Sequence, residues 1–156
     1  MGTMHCAHPD IEAFIDAKAD PSRLRNFNVS VLVTDAFMEA VEADENWNLT
    51  ARTDGHVIVT VPARRLLRDI AEASWQCADP GVQYDTTINS WHTCPNSGRI
   101  NASNPFSEYM HLDDSACNLA PLNLMKFRQD DGSFDVDSFK HAVDVVFLAQ
   151  EIVVTP

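Results

Sequence analysis

An α/β fold is predicted from three features of the sequence. Residues 28–34 place valine at every second position, as in a strand, and lead directly into a stretch with apolar residues at helical spacing. A second amphipathic helix is predicted over 62–76, where apolar residues recur with a period of 3.6. Strands that alternate with helices indicate an α/β fold, and no strand is predicted after the last helix. We therefore expect an incomplete sheet and a fold truncated at both ends.

Caps and turns delimit the first elements. Residues 1–6 carry no recognisable pattern, and His8-Pro9-Asp10 is typical of the start of a helix, which is predicted over 11–18. The turn residues Asp20-Pro21-Ser22 separate this helix from the strand over 28–34.

A capped helix and a hairpin are predicted next. The side chain of Thr34 or Asp35 can accept hydrogen bonds at the start of a helix, which ends before a connection over 44–48. Asp54-Gly55 supplies the turn of a hairpin over 51–61, because such turns require positive φ.

The amino-acid composition changes in the middle of the chain, after a predicted helix. Pro62 suits the first position of the helix over 62–76. Residues 79–104 are rich in Pro, Gly, Asn, Ser and Thr, and only 82–84 and 99–102 are predicted to be extended. A long irregular stretch inside a compact domain is usually functional.

The C-terminal part is predicted to contain one more extended piece, over 116–124, and a turn at Asp131-Gly132. Asp137 is predicted to cap a final helix. The apolar residues of this helix that we expect to face a core are Phe139, Ala142, Val143, Val146 and Ile152.

Composition excludes several classes of protein. With 45% hydrophobic residues, the 156-residue chain has the composition of a globular domain. Its net charge of -12 would repel a nucleic-acid backbone, so no nucleic-acid partner is expected. No apolar run approaches the roughly 20 residues that span a bilayer, and residues 1–10 do not resemble a signal peptide. We expect a cytoplasmic protein with no membrane partner.

The spacing of the cysteines and histidines does not match that of a common metal site. Four cysteines, widely spaced and without a CxxC pair, are expected to be reduced thiols. His92 and Cys94 are close in sequence, but their spacing does not match the common zinc sites, so no metal site is predicted.

Two motifs carry a family resemblance. The run Asn104-Pro105-Phe106-Ser107-Glu108-Tyr109 is followed by Asp113-Asp114-Ser115-Ala116-Cys117-Asn118-Leu119-Ala120. Together they resemble the finger loop of the class II, adenosylcobalamin-dependent ribonucleotide reductases, in which the first motif reads Asn-Pro-Cys-Ser-Glu. Their order and the eleven-residue step from Phe106 to Cys117 make the resemblance specific.

The resemblance extends over nearly the whole chain. It also covers the segments 1–4, 8–12, 29–38, 78–81 and 85–89. It implies that residues 1–156 form a single fragment of the catalytic ten-stranded α/β barrel, with the finger-loop region at about 100–120. Pro121 departs from the family pattern, which has a small residue with a backbone N–H there, and proline removes that donor.

The resemblance also assigns roles to residues. The family abstracts the ribose 3′-hydrogen with a thiyl radical on the third residue of the motif, which is Phe106 here and has no S–H bond. Glu108 corresponds to the general base on the 3′-hydroxyl, and Asn104 to the residue that holds the ribose hydroxyls. Cys117 corresponds to one of two cysteines that form a disulfide as the substrate is reduced.

Cofactor and partners follow from the same resemblance. It implies adenosylcobalamin in the full-length enzyme, with no binding of this cofactor to the fragment alone. It further implies a ribonucleotide substrate and an allosteric nucleotide, and it leaves a homodimer of the parent enzyme open. Whether diphosphates or triphosphates are reduced is also left open.

Simpler interpretations stand beside these. Without the motif, Glu108 is most simply a solvated acid and Cys117 a structural thiol. Phe106 leaves three origins open: an altered working reductase, a non-catalytic nucleotide-binding or interaction remnant, or a junction left by an intein. Whatever the origin, the isolated 156 residues are expected to be inactive, because the thiyl position, one redox partner and the phosphate loop of the family pattern are missing.

Overall fold

The computed structural model describes residues 1–154. The chain divides into two compact units, Met1–Ser115 and Ala116–Pro156, and each is described by itself. No helix of the described residues is long and apolar enough to cross a membrane.

A parallel three-stranded sheet organises the first unit. Its strands are β1 (Gly2–His5), β2 (Val29–Val33) and β5 (Gly81–Tyr84), in the order β1-β2-β5. All five residues of β2 are buried, as suits a central strand. The predicted strand over 28–34 is therefore confirmed. β1 was not predicted, because its four residues have no alternating pattern and become a strand only by pairing with β2.

Helices cover this sheet as predicted. α1 (Ile11–Ile15) continues into a 3-10 turn over Asp16–Lys18, which confirms the helix over 11–18. α2 (Asp35–Glu42) is capped by Thr34, whose Oγ1 accepts a hydrogen bond from Phe37 N at 3.2 Å. α3 (Ala63–Cys77) confirms the helix predicted through Gln76.

One apolar core joins these elements. It is formed by buried residues of the sheet, the three helices and the hairpin: Cys6, Ile11, Ile15, Val31, Val33, Phe37, Ala40, Leu49, Val61, Ala63, Leu66 and Ile70. Beside this core, Lys18 Nζ donates hydrogen bonds to the carboxylate of Asp79 and to Phe27 O, which anchors the chain just before β5.

The hairpin begins earlier than predicted. β3 (Asn46–Thr50) pairs antiparallel with β4 (Val57–Pro62), so the strand occupies residues that were predicted to be a connection over 44–48. Trp47 explains the difference, because its Nε1 donates to Cys6 O at 3.1 Å and its ring packs edge-on against Phe37.

The stretch predicted to be irregular contains a short helix, α4 (Asp85–Ser90). It lacks an apolar stripe and depends on contacts distant in sequence, which is why periodicity did not reveal it. The extended piece predicted over 82–84 is confirmed as β5. β6 (Ala102–Ser103) and β7 (Met110–His111) form a small antiparallel ladder.

The second unit corrects three predictions. Residues 116–124 form no strand, and a 3-10 turn follows at Leu124–Phe127. The helix α5 (Val136–Val154) begins with Asp135 as the capping residue instead of Asp137, because Asp135 Oδ1 accepts from Ser138 N at 3.0 Å.

No residue of α5 is buried, so the stripe of Phe139, Ala142, Val143, Val146 and Ile152 does not face a core in this unit. A unit of about 40 residues has too few side chains to cover such a helix. Its aromatic contacts form a cluster of Phe127, Phe134 and Phe139.

Candidate active-site loop

The motif residues 104–109 form the loop that joins β6 to β7. Asn104 closes this loop, since its Oδ1 accepts a hydrogen bond from Tyr109 N at 2.9 Å and its backbone O accepts from Ser107 N at 3.0 Å. Ser107 adopts a positive φ of 61°, which turns the chain at the tip. The acceptor of the Asn104 side chain is thus used within the loop, and its amide N–H groups are left for another partner.

Phe106 and Glu108 lie on the open side of the loop. Phe106 is 87% exposed, and Glu108 is exposed as well. Among the described residues, neither side chain has a hydrogen bond or an ion pair. The loop therefore presents a carboxylate and, two residues earlier, an aromatic ring to whatever approaches it.

Gln83 in β5 ties this loop to the sheet. Its side chain is buried, and its Nε2 donates to Ser103 Oγ at 2.7 Å and to Ser107 Oγ at 3.4 Å. Ser103 Oγ in turn donates to Asn104 O at 2.7 Å. Sequence analysis did not single out Gln83, although a glutamine inside a short apolar strand is the kind of buried polar residue that requires partners.

The segment that leads into β6 is held by α4. Asn89 hydrogen-bonds Ile100 through both backbone groups: its Nδ2 donates to Ile100 O and its Oδ1 accepts from Ile100 N, each at 3.0 Å. Arg99 pairs with the carboxylate of Asp85, which is buried at the carboxyl end of β5. These contacts fix where the motif loop begins.

The carboxyl ends of the parallel strands meet at one edge of the sheet. His5 lies at the end of β1 and Asp85 follows the end of β5, at the edge where α/β sheets commonly bind ligands. Burial lowers the pKa of His5, although the charge of Asp85 opposes this shift. The neutral form of His5 is therefore favoured.

Cys117 belongs to the second unit and is exposed. The neighbouring Asn118 bonds Gln150 of α5 twice: Asn118 Nδ2 donates to Gln150 O at 3.3 Å, and Gln150 Nε2 donates to Asn118 O at 3.0 Å. Cys6, Cys77, Cys94 and Cys117 are all free thiols in the structure. No group of three or more metal-binding side chains occurs among residues 1–154.

An apolar cavity of about 460 Å³ adjoins the loop. Residues of β5, α4, the segment between α4 and β6, the motif loop and β7 line it: Val82, Gln83, Tyr84, Thr87, Ile88, Trp91, His92, Thr93, Ile100, Ser107 and Met110. Trp91 is 82% exposed and offers its ring at this cavity.

Comparison with protein-family models identifies the family of this chain. Residues 1–155 match the model described as "Ribonucleotide reductase, barrel domain". The chain belongs to this family of ribonucleotide reductase barrel domains. The described residues form a three-stranded parallel sheet and do not close a barrel, which is consistent with a part of one.

The curated relatives that the chain resembles carry the names of vitamin B12-dependent enzymes. The chain is 50% identical to the vitamin B12-dependent ribonucleotide reductase of Streptomyces avermitilis, over 93% of this chain and 18% of the relative. It is 49% identical to that of Rhodopirellula baltica, over 99% and 17%. It is 38% identical to the vitamin B12-dependent ribonucleoside-diphosphate reductase of Mycobacterium tuberculosis, over 93% and 20%. The chain thus spans a fifth or less of the length of each of these relatives.

Proposed function

We propose that the chain is part of a vitamin B12-dependent ribonucleotide reductase, an oxidoreductase that converts ribonucleotides into deoxyribonucleotides for DNA synthesis. The observation that supports this most is the motif loop itself. It keeps Asn104 and Glu108 of the family motif, closes through its own backbone and is joined by Gln83 to a barrel strand.

Glu108 is proposed as the general base on the ribose 3′-hydroxyl. A general base must lie within hydrogen-bond reach of the proton that it removes, and the exposed carboxylate of Glu108 is engaged by no other described residue. Asn104 is proposed to hold the ribose hydroxyls with its amide N–H groups, since its Oδ1 already accepts from Tyr109 N.

Cys117 is proposed as one of the two thiols that reduce the substrate. The 2′-hydroxyl leaves as water, and the two electrons come from the pair of thiols, which close into a disulfide. The second thiol lies upstream of Met1 in the family pattern. Exposure of Cys117 supports this role, because thiol exchange requires access.

Phe106 occupies the position of the radical cysteine. In the family, adenosylcobalamin supplies the radical that is passed to that cysteine. The cavity beside the loop fits the uncharged nucleoside part of this cofactor, because its lining carries no Asp, Glu, Lys or Arg and His92 Nε2 is left there without a partner. It is too small for a corrin ring, so we do not expect the whole cofactor to bind the isolated chain.

A phenylalanine cannot store a hydrogen atom as a thiol does, so the chain itself is proposed to be inactive. This observation also favours a second candidate function, a non-catalytic nucleotide-binding or interaction remnant of the barrel. In the working enzyme, we propose a ribonucleotide substrate, an allosteric nucleotide and a cytoplasmic location, with a homodimer left open.

A chimera tests the proposal. Residues 1–154 replace the corresponding segment of the Streptomyces avermitilis relative, once with Phe106 and once with Phe106→Cys. We expect deoxynucleotide formation, measured with adenosylcobalamin and a dithiol, only in the Phe106→Cys chimera, and none when Glu108→Gln is added. A folded Phe106→Cys chimera that binds substrate but forms no product would contradict the proposed function. Activity of the Phe106 chimera would refute the role of position 106.

A further inference from the structure

A separate cavity of the first unit is lined by positive charge. Its volume is about 340 Å³, and its lining residues come from the segment before β2 and from the end of α3: Lys18, Pro21, Arg23, Arg25, Gln76 and Cys77. Three of the 11 lysines and arginines of a chain with a net charge of -12 thus share one cavity, and none of the lining residues is Asp or Glu. Lys18 Nζ is already paired with the carboxylate of Asp79, so the charge available to a ligand comes from the two arginines.

Neither guanidinium group has a hydrogen-bond partner among the described residues. Arg23 and Arg25 are both exposed, and neither side chain forms an ion pair with a described residue. Asp20 attracts Arg23 electrostatically, but its carboxylate accepts from Ser22 N at 2.8 Å and from Ser22 Oγ at 2.7 Å. Both guanidinium groups therefore keep their donors for a ligand, and each presents the planar fork that binds phosphate through two parallel hydrogen bonds.

The loop that carries these arginines is held in shape by its own backbone. Arg23 N donates to Asp20 O at 3.0 Å. Phe27 N donates to Leu24 O at 3.0 Å, and Phe27 O accepts from Lys18 Nζ at 3.0 Å. Leu24, between the two arginines, has a φ of 49°, a left-handed conformation that is unfavourable for a leucine and is found most often at ligand-binding segments. The backbone that places both arginines at the cavity is thus formed without a ligand.

This cavity lies at the end of the parallel sheet opposite to His5 and Asp85. Its loop leads into the amino end of β2, and Cys77 ends α3 shortly before β5, so the cavity adjoins the amino ends of two parallel strands. It shares no lining residue with the motif loop or with the cavity beside that loop. It is therefore a separate site, and what it binds does not depend on the proposed function.

We propose that this cavity binds a small phosphate-bearing anion through Arg23 and Arg25, without recognition of a base. Its volume lies at the lower end of the range of small-molecule sites, which suits a diphosphate group but leaves little room for a nucleoside. A diphosphate offers one phosphate to each guanidinium group, and the two local positive charges offset the repulsion from a chain with a net charge of -12. None of the lining residues is aromatic, so no side chain there would stack on a base.

Isothermal titration calorimetry of the 156-residue chain with inorganic pyrophosphate tests this assignment. A ligand held by two exposed guanidinium groups is expected to bind with a Kd of about 0.1–1 mM in about 50 mM sodium chloride. Raising the salt to about 200 mM is expected to weaken binding several-fold, because exposed charges are screened. Inorganic phosphate, with one phosphate group for two arginines, is expected to bind about tenfold more weakly. ADP is expected to bind no more tightly than pyrophosphate, because its nucleoside meets no stacking surface here.

Paired variants locate the binding. Arg23→Gln and Arg25→Gln are each expected to weaken pyrophosphate binding about tenfold, whereas Arg68→Gln removes an exposed arginine of α3 outside the cavity and is expected to have no effect. Arg25→Lys keeps the charge but loses the planar fork, so it is expected to weaken binding only about threefold. Gln76→Glu adds a negative charge to the cavity wall with little change of shape and is expected to abolish measurable binding. Gln129→Glu, which changes the net charge equally in the second unit, is its control.

Three results would overturn the inference: no binding of pyrophosphate at about 5 mM, equal losses in Arg25→Gln and Arg68→Gln, or ADP binding more than about tenfold tighter than pyrophosphate in a manner that Arg25→Gln abolishes. The third result would identify a nucleotide site instead. The substituted side chains are all exposed, so the thermal midpoint of each variant is expected to stay near that of the unchanged chain, and a loss of binding then reports on the ligand. Pyrophosphate binding together with an inactive Phe106→Cys chimera would leave this site standing while the proposed function fails, so the two failures are distinguishable.

Discussion

Gln83→Met is expected to loosen the motif loop while leaving the sheet intact. Methionine keeps the length of the side chain and its apolar packing but removes the donor to Ser103 Oγ and Ser107 Oγ. A hydrogen bond contributes about 1 kcal/mol net, and the contact to Ser107 is long, so the loop should lose about 1–1.5 kcal/mol. Since 1.4 kcal/mol corresponds to tenfold in an equilibrium, the loop should open about five to ten times more often.

Amide hydrogen exchange measures this opening directly. The amides of Ser107 and Tyr109 donate to Asn104 and are protected only while the loop is closed. Their exchange should accelerate about five- to tenfold in Gln83→Met, whereas amides of α3 should not change. Gln76→Met, on the exposed side of α3, is the matched control. Unchanged exchange at Ser107 and Tyr109, or equal acceleration in α3, would refute the reasoning that Gln83 acts on the loop.

Three further perturbations have defined outcomes. Burial lowers the pKa of His5, so the unfolded chain binds a proton that the folded chain does not as the pH falls below 6.5. The thermal midpoint should therefore fall from pH 7 toward pH 5. His5→Asn should make the thermal midpoint less dependent on pH in this range. Thr34→Ala removes the cap of α2 and should lower the free energy of unfolding by about 1 kcal/mol, with Thr34→Ser close to unchanged, as measured by urea unfolding. Burial raises the pKa of Cys6 to about 11, so at pH 8 a thiol reagent should label Cys6 only on unfolding. The exposed Cys94 should be labelled rapidly under the same conditions. Equal labelling rates for the two cysteines would contradict the buried position of Cys6.

The elements that the sequence predicted well are those whose pattern is local. The helix through Gln76 has a continuous apolar stripe, and the strand at Val29–Val33 has valines at alternate positions, so both could be read without knowledge of their partners. β1 and α4 were missed because the pairing with β2 and the bonds from Asn89 to Ile100 stabilise them, and neither contact is visible in sequence.

The candidate site, like the fold, could be predicted from the sequence only in part. A motif could assign roles to Asn104 and Glu108, but it could not show that Asn104 uses its acceptor inside the loop. Gln83 and His92 lie outside the motif, and their importance follows from a buried amide and an unpartnered ring nitrogen, which only coordinates reveal.

The loop that carries Phe106 is closed entirely by other residues. The bonds from Asn104 to Ser107 and Tyr109, and those from Gln83, involve no atom of the side chain at position 106, which is exposed to solvent. Cysteine and phenylalanine should therefore be interchangeable as far as folding is concerned. Quality control that recognises misfolded chains would pass both, so an exchange at this position should leave the cellular amount of the protein unaltered.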